Sequence, residues 1–219
     1  MIEEKEKYTI PDEKPENTFL GKASRILTIL TTPFIVPTLS FVLLFFFTYL
    51  RILPTPYQLV VLSIVFSFTF LLPMLTIYLF QKVNGWGIRE LGERKKRFIP
   101  YILTIMSYVT CFITMNRLHL PRYMSGIIIA SLICMITCTI INLKWKISTH
   151  VASSGLLIGG LLSYSLIFHF NPLMALSIFI LLAGMVGSAR IIVNQHSLSE
   201  VFSGFIVGFL CGIIGILFI

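Results

Sequence analysis

Two histidines, one carboxylate and a group of cations stand out in a chain otherwise poor in charge. The stretch ARIIVNQHSLSE, Ala189 to Glu200, holds Arg190, His196 and Glu200, and Glu200 is the only acidic residue after Glu93. A carboxylate four residues beyond a histidine can accept from one ring nitrogen. That fixes the tautomer and leaves the other nitrogen as a nucleophile. A second histidine, His150, follows Ser148 and Thr149, and the run ERKKRFIP carries Arg94, Lys96 and Arg97. Such a set suits phosphoryl transfer without a metal. One histidine attacks phosphorus, the other protonates the departing oxygen, and the cations hold the remaining phosphate oxygens. A metal-dependent phosphatase needs several carboxylates, and this region offers only Glu90, Glu93 and Glu200. No metal and no cofactor are expected.

These residues have to be positioned by a membrane scaffold. The chain has 219 residues, 56% of them hydrophobic, and its mean hydropathy is +0.91. Apolar stretches of about twenty residues, each long enough to cross a bilayer, recur along it. They are continuous rather than alternating, which excludes a barrel. The expected fold is an all-α polytopic transmembrane helical bundle of six to seven spans. Residues 1–22 form a polar tail without the order of a signal peptide, and 23–219 form a single membrane domain. The net charge of +8 sits between spans, where it fits bilayer head groups and membrane orientation rather than nucleic acid. Cys111, Cys134, Cys138 and Cys211 all lie inside apolar runs and are read as packing residues.

The expected spans are 25–50, 55–81, 98–117, 122–143, 150–170, 172–190 and 198–219, with Pro33 and Pro37 kinking the first or breaking its start. Two spans separate the loop at 82–97 from that at 144–149, and two more separate this from the loop at 190–197. Parity therefore gathers both histidines, Glu200 and the cations on one membrane face. Ser148 or Thr149 is placed to cap the fifth span. Gly155 and Gly159, and Gly204, Gly208 and Gly212, form small-residue stripes that would let the fifth and seventh spans approach closely. His119 and His169 fall at the other face and are read as interfacial.

The run Arg190, five residues, His196, three residues, Glu200 resembles the third signature of the type 2 phosphatidic acid phosphatases, Ser-Arg-x5-His-x3-Asp. That family shares a superfamily with the vanadium haloperoxidases. ISTH at 147–150 is similar to its second signature, Pro-Ser-Gly-His, and ERKKRFIP occupies the place of the first, Lys-x6-Arg-Pro. The resemblance covers roughly residues 80–210. Ala189 stands in place of serine, Glu200 of aspartate and Thr149 of glycine, and Glu90 stands where the first signature has its lysine.

The resemblance implies a core like that of this family. It makes His196 the nucleophile, Glu200 its orienting carboxylate and His150 the general acid. Arg190, Arg94, Arg97 and Lys96 would bind phosphate, with Ser148 and Thr149 adding contacts. The implied activity is a metal-independent lipid phosphatase working through a phosphohistidine, with a membrane lipid as partner. Its substrate would be phosphatidic acid, phosphatidylglycerol phosphate, a polyprenyl pyrophosphate such as undecaprenyl pyrophosphate, or lipid A.

Other readings compete. Ser197-x-x-Glu200 is also a capping box, Arg190 could snorkel, and the 94–97 cluster could serve only topology. A catalytically inactive relative that binds a lipid phosphate or a partner is the alternative function, and a small transporter the third. Bacterial relatives of the family more often act on the outer side of the inner membrane. Here the basic residues of the tail and of the 82–97 and 144–149 loops favour a cytoplasmic site in an inner (plasma) membrane protein.

Overall fold

The computed structural model describes residues 32–85, 98–193 and 195–218. Among the described residues the secondary structure is helical throughout. The helices are α1 (Ile35–Phe47), α2 (Thr55–Asn84), α3 (Phe98–Arg117), α4 (Arg122–Lys144), α5 (Thr149–Phe168), α6 (Leu173–Ile192) and α7 (Leu198–Leu217). Helices α2 to α7 are each long and apolar enough to cross a membrane. The chain is a polytopic helical bundle, and the ends of these six agree with the expected spans to within a few residues.

The first expected span, 25–50, is corrected. Helix α1 has 13 residues, about 20 Å of rise against about 30 Å of hydrocarbon. It does not cross alone, and residues 25–31 lie outside the described residues. The prolines explain where it starts. Pro33 precedes the helix, and Pro37 sits in its first turn, where a missing N–H has no helical partner to lose. The Tyr108 hydroxyl donates to Pro33 O at 2.8 Å, which pins this start beside the middle of α3.

Helix α2 carries a feature the hydropathy pattern hides. A π turn covers Ser67–Leu71, directly before Pro73. Proline at 73 cannot donate back along the helix, so upstream carbonyls lose a partner and the ladder widens. Ser107 Oγ of α3 donates to one of them, Phe68 O, and Thr69 Oγ1 meets Thr38 Oγ1 of α1 at 3.2 Å. The π turn thus joins α1, α2 and α3 in the protein interior.

The tightest pairing is α5 against α7. A Cβ at Gly208 would lie 1.7 Å from Ala152 O, one at Gly155 2.3 Å from Phe205 O, and one at Gly159 2.3 Å from Phe209 O. Backbone meets backbone along both expected stripes, and only glycine permits it. Helix α4 packs across the same pair, where a Cβ at Gly215 would meet Ala130 Cα at 2.4 Å. The large core buries Phe41, Tyr108, Met115, Met124 and Ile128 with all four cysteines. A separate small cluster of Val151, Val186 and Val201 ties α5, α6 and α7 together, next in sequence to His150 and Glu200 and one turn before Arg190.

At the far face, His119 and His169 both adopt left-handed backbone, with φ of 53° and 51°. His169 is the C-cap of α5, and His119 Nδ1 lies 3.0 Å from Arg117 O at the end of α3. They shape helix ends, in keeping with the interfacial reading.

Candidate functional site

The site forms where α5 begins, α6 ends and α7 begins. Helix α6 ends at Ile192, and the chain then folds back onto the carbonyl of Arg190 in its last turn. Arg190 O accepts from Gln195 N at 3.1 Å and from His196 N at 3.3 Å. The reversal carries His196 back towards the protein and buries it to 8% exposure, with Arg190 at 7%.

Helix α7 starts at Leu198, so His196 lies outside it. The His196–Glu200 contact forms all the same. The helix cap aims the carboxylate: Ser197 Oγ accepts from Glu200 N at 3.4 Å, and Glu200 Oε2 accepts from Ser197 N at 3.3 Å. The same Oε2 lies 2.8 Å from His196 Nδ1. The capping box and the histidine–carboxylate pair, rivals in the sequence, are one arrangement. With Nδ1 bearing the proton shared with the carboxylate, the imidazole lone pair is on Nε2.

His150 occupies the first turn of α5, directly after Thr149. Its carbonyl accepts from Ser153 Oγ at 2.8 Å and Ser154 Oγ at 3.1 Å. Ser148 is the N-cap residue, but its side chain makes no cap bond. Its buried Oγ has no hydrogen-bond partner among the described residues. The expectation of a side-chain cap from Ser148 is therefore corrected. Gly204 explains the crowding: a Cβ there would lie 2.7 Å from Ser148 O. The backbone of Ser148 reaches α7 instead, donating to Glu200 O at 3.4 Å.

A cavity of about 450 Å³ is lined by Thr149, His150, Arg190 and His196 on one side. It is also lined by Met74, Ile77, Tyr78 and Gln81 of α2 and by Phe34, Tyr101 and Met135. Among the described residues no carboxylate lines it. Glu200 stands behind His196 rather than on the wall. A polar, cationic side therefore faces a mainly apolar one, which suits an anionic head group carrying a tail. Among the described residues no three or more His, Cys, Asp or Glu side chains group so as to hold a metal ion.

Of the residues singled out in the sequence, His150, Thr149, Arg190 and His196 share this cavity, Glu200 supports it and Ser148 is buried next to it. Arg94, Lys96 and Arg97 lie outside the described residues. Two partners were not foreseen. Arg190 Nη1 donates to Gln195 Oε1, and Lys146 Nζ donates to Gln195 O at 2.6 Å. The facing wall was also missed, although its signal was present: 74, 77, 78 and 81 are spaced i, i+3, i+4 and i+7, one face of a helix.

Comparison with protein-family models, with curated proteins and with solved structures finds no match.

Proposed function

We propose that the chain is a metal-independent phosphatase acting on a lipid phosphate or pyrophosphate, related to the type 2 phosphatidic acid phosphatases. The observation that carries this reading is the His196 Nδ1 to Glu200 Oε2 contact of 2.8 Å, on a histidine that shares a cavity with His150 and Arg190.

In the proposed reaction, His196 Nε2 attacks phosphorus and forms a P–N bond as the P–O bond to the lipid breaks. His150 gives its proton to the leaving oxygen. Arg190 neutralises charge building on the non-bridging oxygens, and Ser148 and Thr149 lie at the same helix N-terminus, a favourable place for an anion. Water then attacks the phosphohistidine with His150 accepting its proton, which releases phosphate and restores His196. Glu200 stabilises the imidazolium character that develops on His196. The apolar wall of α2 receives the first part of the lipid tail. The membrane is proposed to be the inner (plasma) membrane, with the site towards the cytoplasm, from the positive charges of the loops at this end.

The test is phosphate release by purified protein from a panel of lipid phosphates and pyrophosphates with a chelator present. Turnover by the wild type and its loss in His196→Ala are expected, with phosphate trapped on His196 in acid-labile form. Folded wild type that releases nothing from any member of the panel rejects the reading.

A further inference from the structure

Gln195 is held by three separate bonds, two to Arg190 and one to Lys146. Its N–H donates to Arg190 O at 3.1 Å. Its side-chain Oε1 accepts from Arg190 Nη1. Its carbonyl accepts Lys146 Nζ at 2.6 Å, which ties the α4–α5 loop to the α6–α7 loop. The next residue is His196, whose N–H also donates to Arg190 O, at 3.3 Å. Arg190 is buried and on the cavity wall, whereas Gln195 is exposed. The amide therefore grips the guanidinium from its water side.

The residue type is informative. A buried guanidinium is best stabilised by a carboxylate, through a charge-assisted and often bidentate pair. Glutamate has the length of glutamine and could accept the same bond. It would also cancel the positive charge at the cavity, where low dielectric makes such cancellation strong. A neutral acceptor directs the guanidinium without itself offsetting the positive charge that would meet an incoming anion.

We infer that Gln195 is a positioning residue of an oxyanion site: it holds Arg190 and the His196 backbone in register, and its neutrality adds no negative charge beside the bound anion. The inference rests on the proposed phosphate site. Stability and anion binding then call for different residues at this position. A purely structural role makes Gln195→Glu at least as good as wild type in every measurement. The positioning role makes it the most stable variant and the poorest binder.

The experiment compares full-length wild type, Gln195→Glu and Gln195→Met in detergent. Thermal unfolding, binding of orthophosphate and of orthovanadate, and KM and kcat on phosphatidic acid are measured for each. In Gln195→Glu, oxyanion affinity is expected to fall roughly tenfold or more, with KM rising in step, kcat changing less and the melting temperature equal or higher. Gln195→Met, which keeps shape and neutrality but loses the acceptor, is expected to weaken oxyanion binding by roughly threefold to tenfold. Wild-type oxyanion affinity in Gln195→Glu overturns the role of Gln195 and leaves the phosphatase reading standing. Oxyanion binding by the wild type without turnover of any lipid phosphate overturns the phosphatase reading, and Gln195 keeps its role. A wild type that binds neither oxyanion overturns both.

Discussion

One oxygen of Glu200 serves two partners: Oε2 lies 2.8 Å from His196 Nδ1 and 3.3 Å from the Ser197 backbone nitrogen. The carboxylate is anchored by the start of α7 before it meets the imidazole, so it orients His196 without freedom of its own.

The two duties separate on substitution. Glu200→Gln retains an acceptor for the Ser197 N–H but removes the charge facing the imidazole. Its stability should stay within about 1 kcal/mol of wild type, while phosphate release falls roughly 100-fold or more. Glu200→Ala should lose both. Thermal melts beside a phosphate assay on the same preparations check this, and equal activity in wild type and Glu200→Gln contradicts it.

Arg190→Lys keeps a positive charge but not the planar fork that meets both Gln195 and an anion. Activity on a lipid phosphate should drop by roughly 10- to 100-fold, on the scale of one or two charge-assisted hydrogen bonds lost. Steady-state kinetics at saturating lipid measure it, and retention of full activity would show that charge alone suffices.

At Gly208 the opposing atom is backbone, Ala152 O, 1.7 Å from where a Cβ would stand. Gly208→Ala must force α5 and α7 apart. It should lower stability by about 1–3 kcal/mol and lower activity too, since the two helices carry His150 and Glu200. Gly184 of α6 is the control, with nothing within 4 Å of its Cβ position. Gly184→Ala should be neutral or stabilising by up to about 1 kcal/mol. Melting curves of the two variants in one detergent decide the matter.

Met74→Trp tests the tail-binding wall. It adds bulk to the cavity that Met74 shares with Arg190 and His196. The KM for a long-chain lipid phosphate should rise roughly tenfold, equivalent to losing a buried apolar contact, while turnover of a water-soluble aryl phosphate stays within about twofold. An equal loss on both substrates would mean that the wall touches the phosphate end instead.

Much of the bundle was legible because its boundaries are chemical. Phe98–Arg117 and Arg122–Lys144 begin and end where apolar runs meet cations, and the glycine stripes of α5 and α7 mark their contact face. Helix α1 was misread because apolar residues continue on both sides of Pro33, so hydropathy cannot see that the helix begins only after it. The His196–Glu200 pair was legible from spacing, though by a different route. The spacing of four announced the contact, and the cap that opens α7, with His196 outside the helix, makes it. Gln195 was hidden because its role depends on a chain reversal onto Arg190 O, which no periodic pattern announces. The π turn before Pro73 was equally hidden, since its readable sign, one proline in an apolar run, also fits a simple kink.

The glycine seam between α5 and α7 has a consequence for which substrates fit. His150 rides on α5 and Glu200, the carboxylate that meets His196, on α7, and the spacing of these two helices is set by backbone contacts at glycines. Across the cavity, the second half of α2 packs chiefly on α3, and Met74 and Tyr78 are about half exposed. For the proposed lipid phosphate, one side of the cavity is therefore set by a glycine seam and another by a helix packed chiefly on one neighbour, which predicts strictness about the head group and tolerance of the girth of what trails behind it.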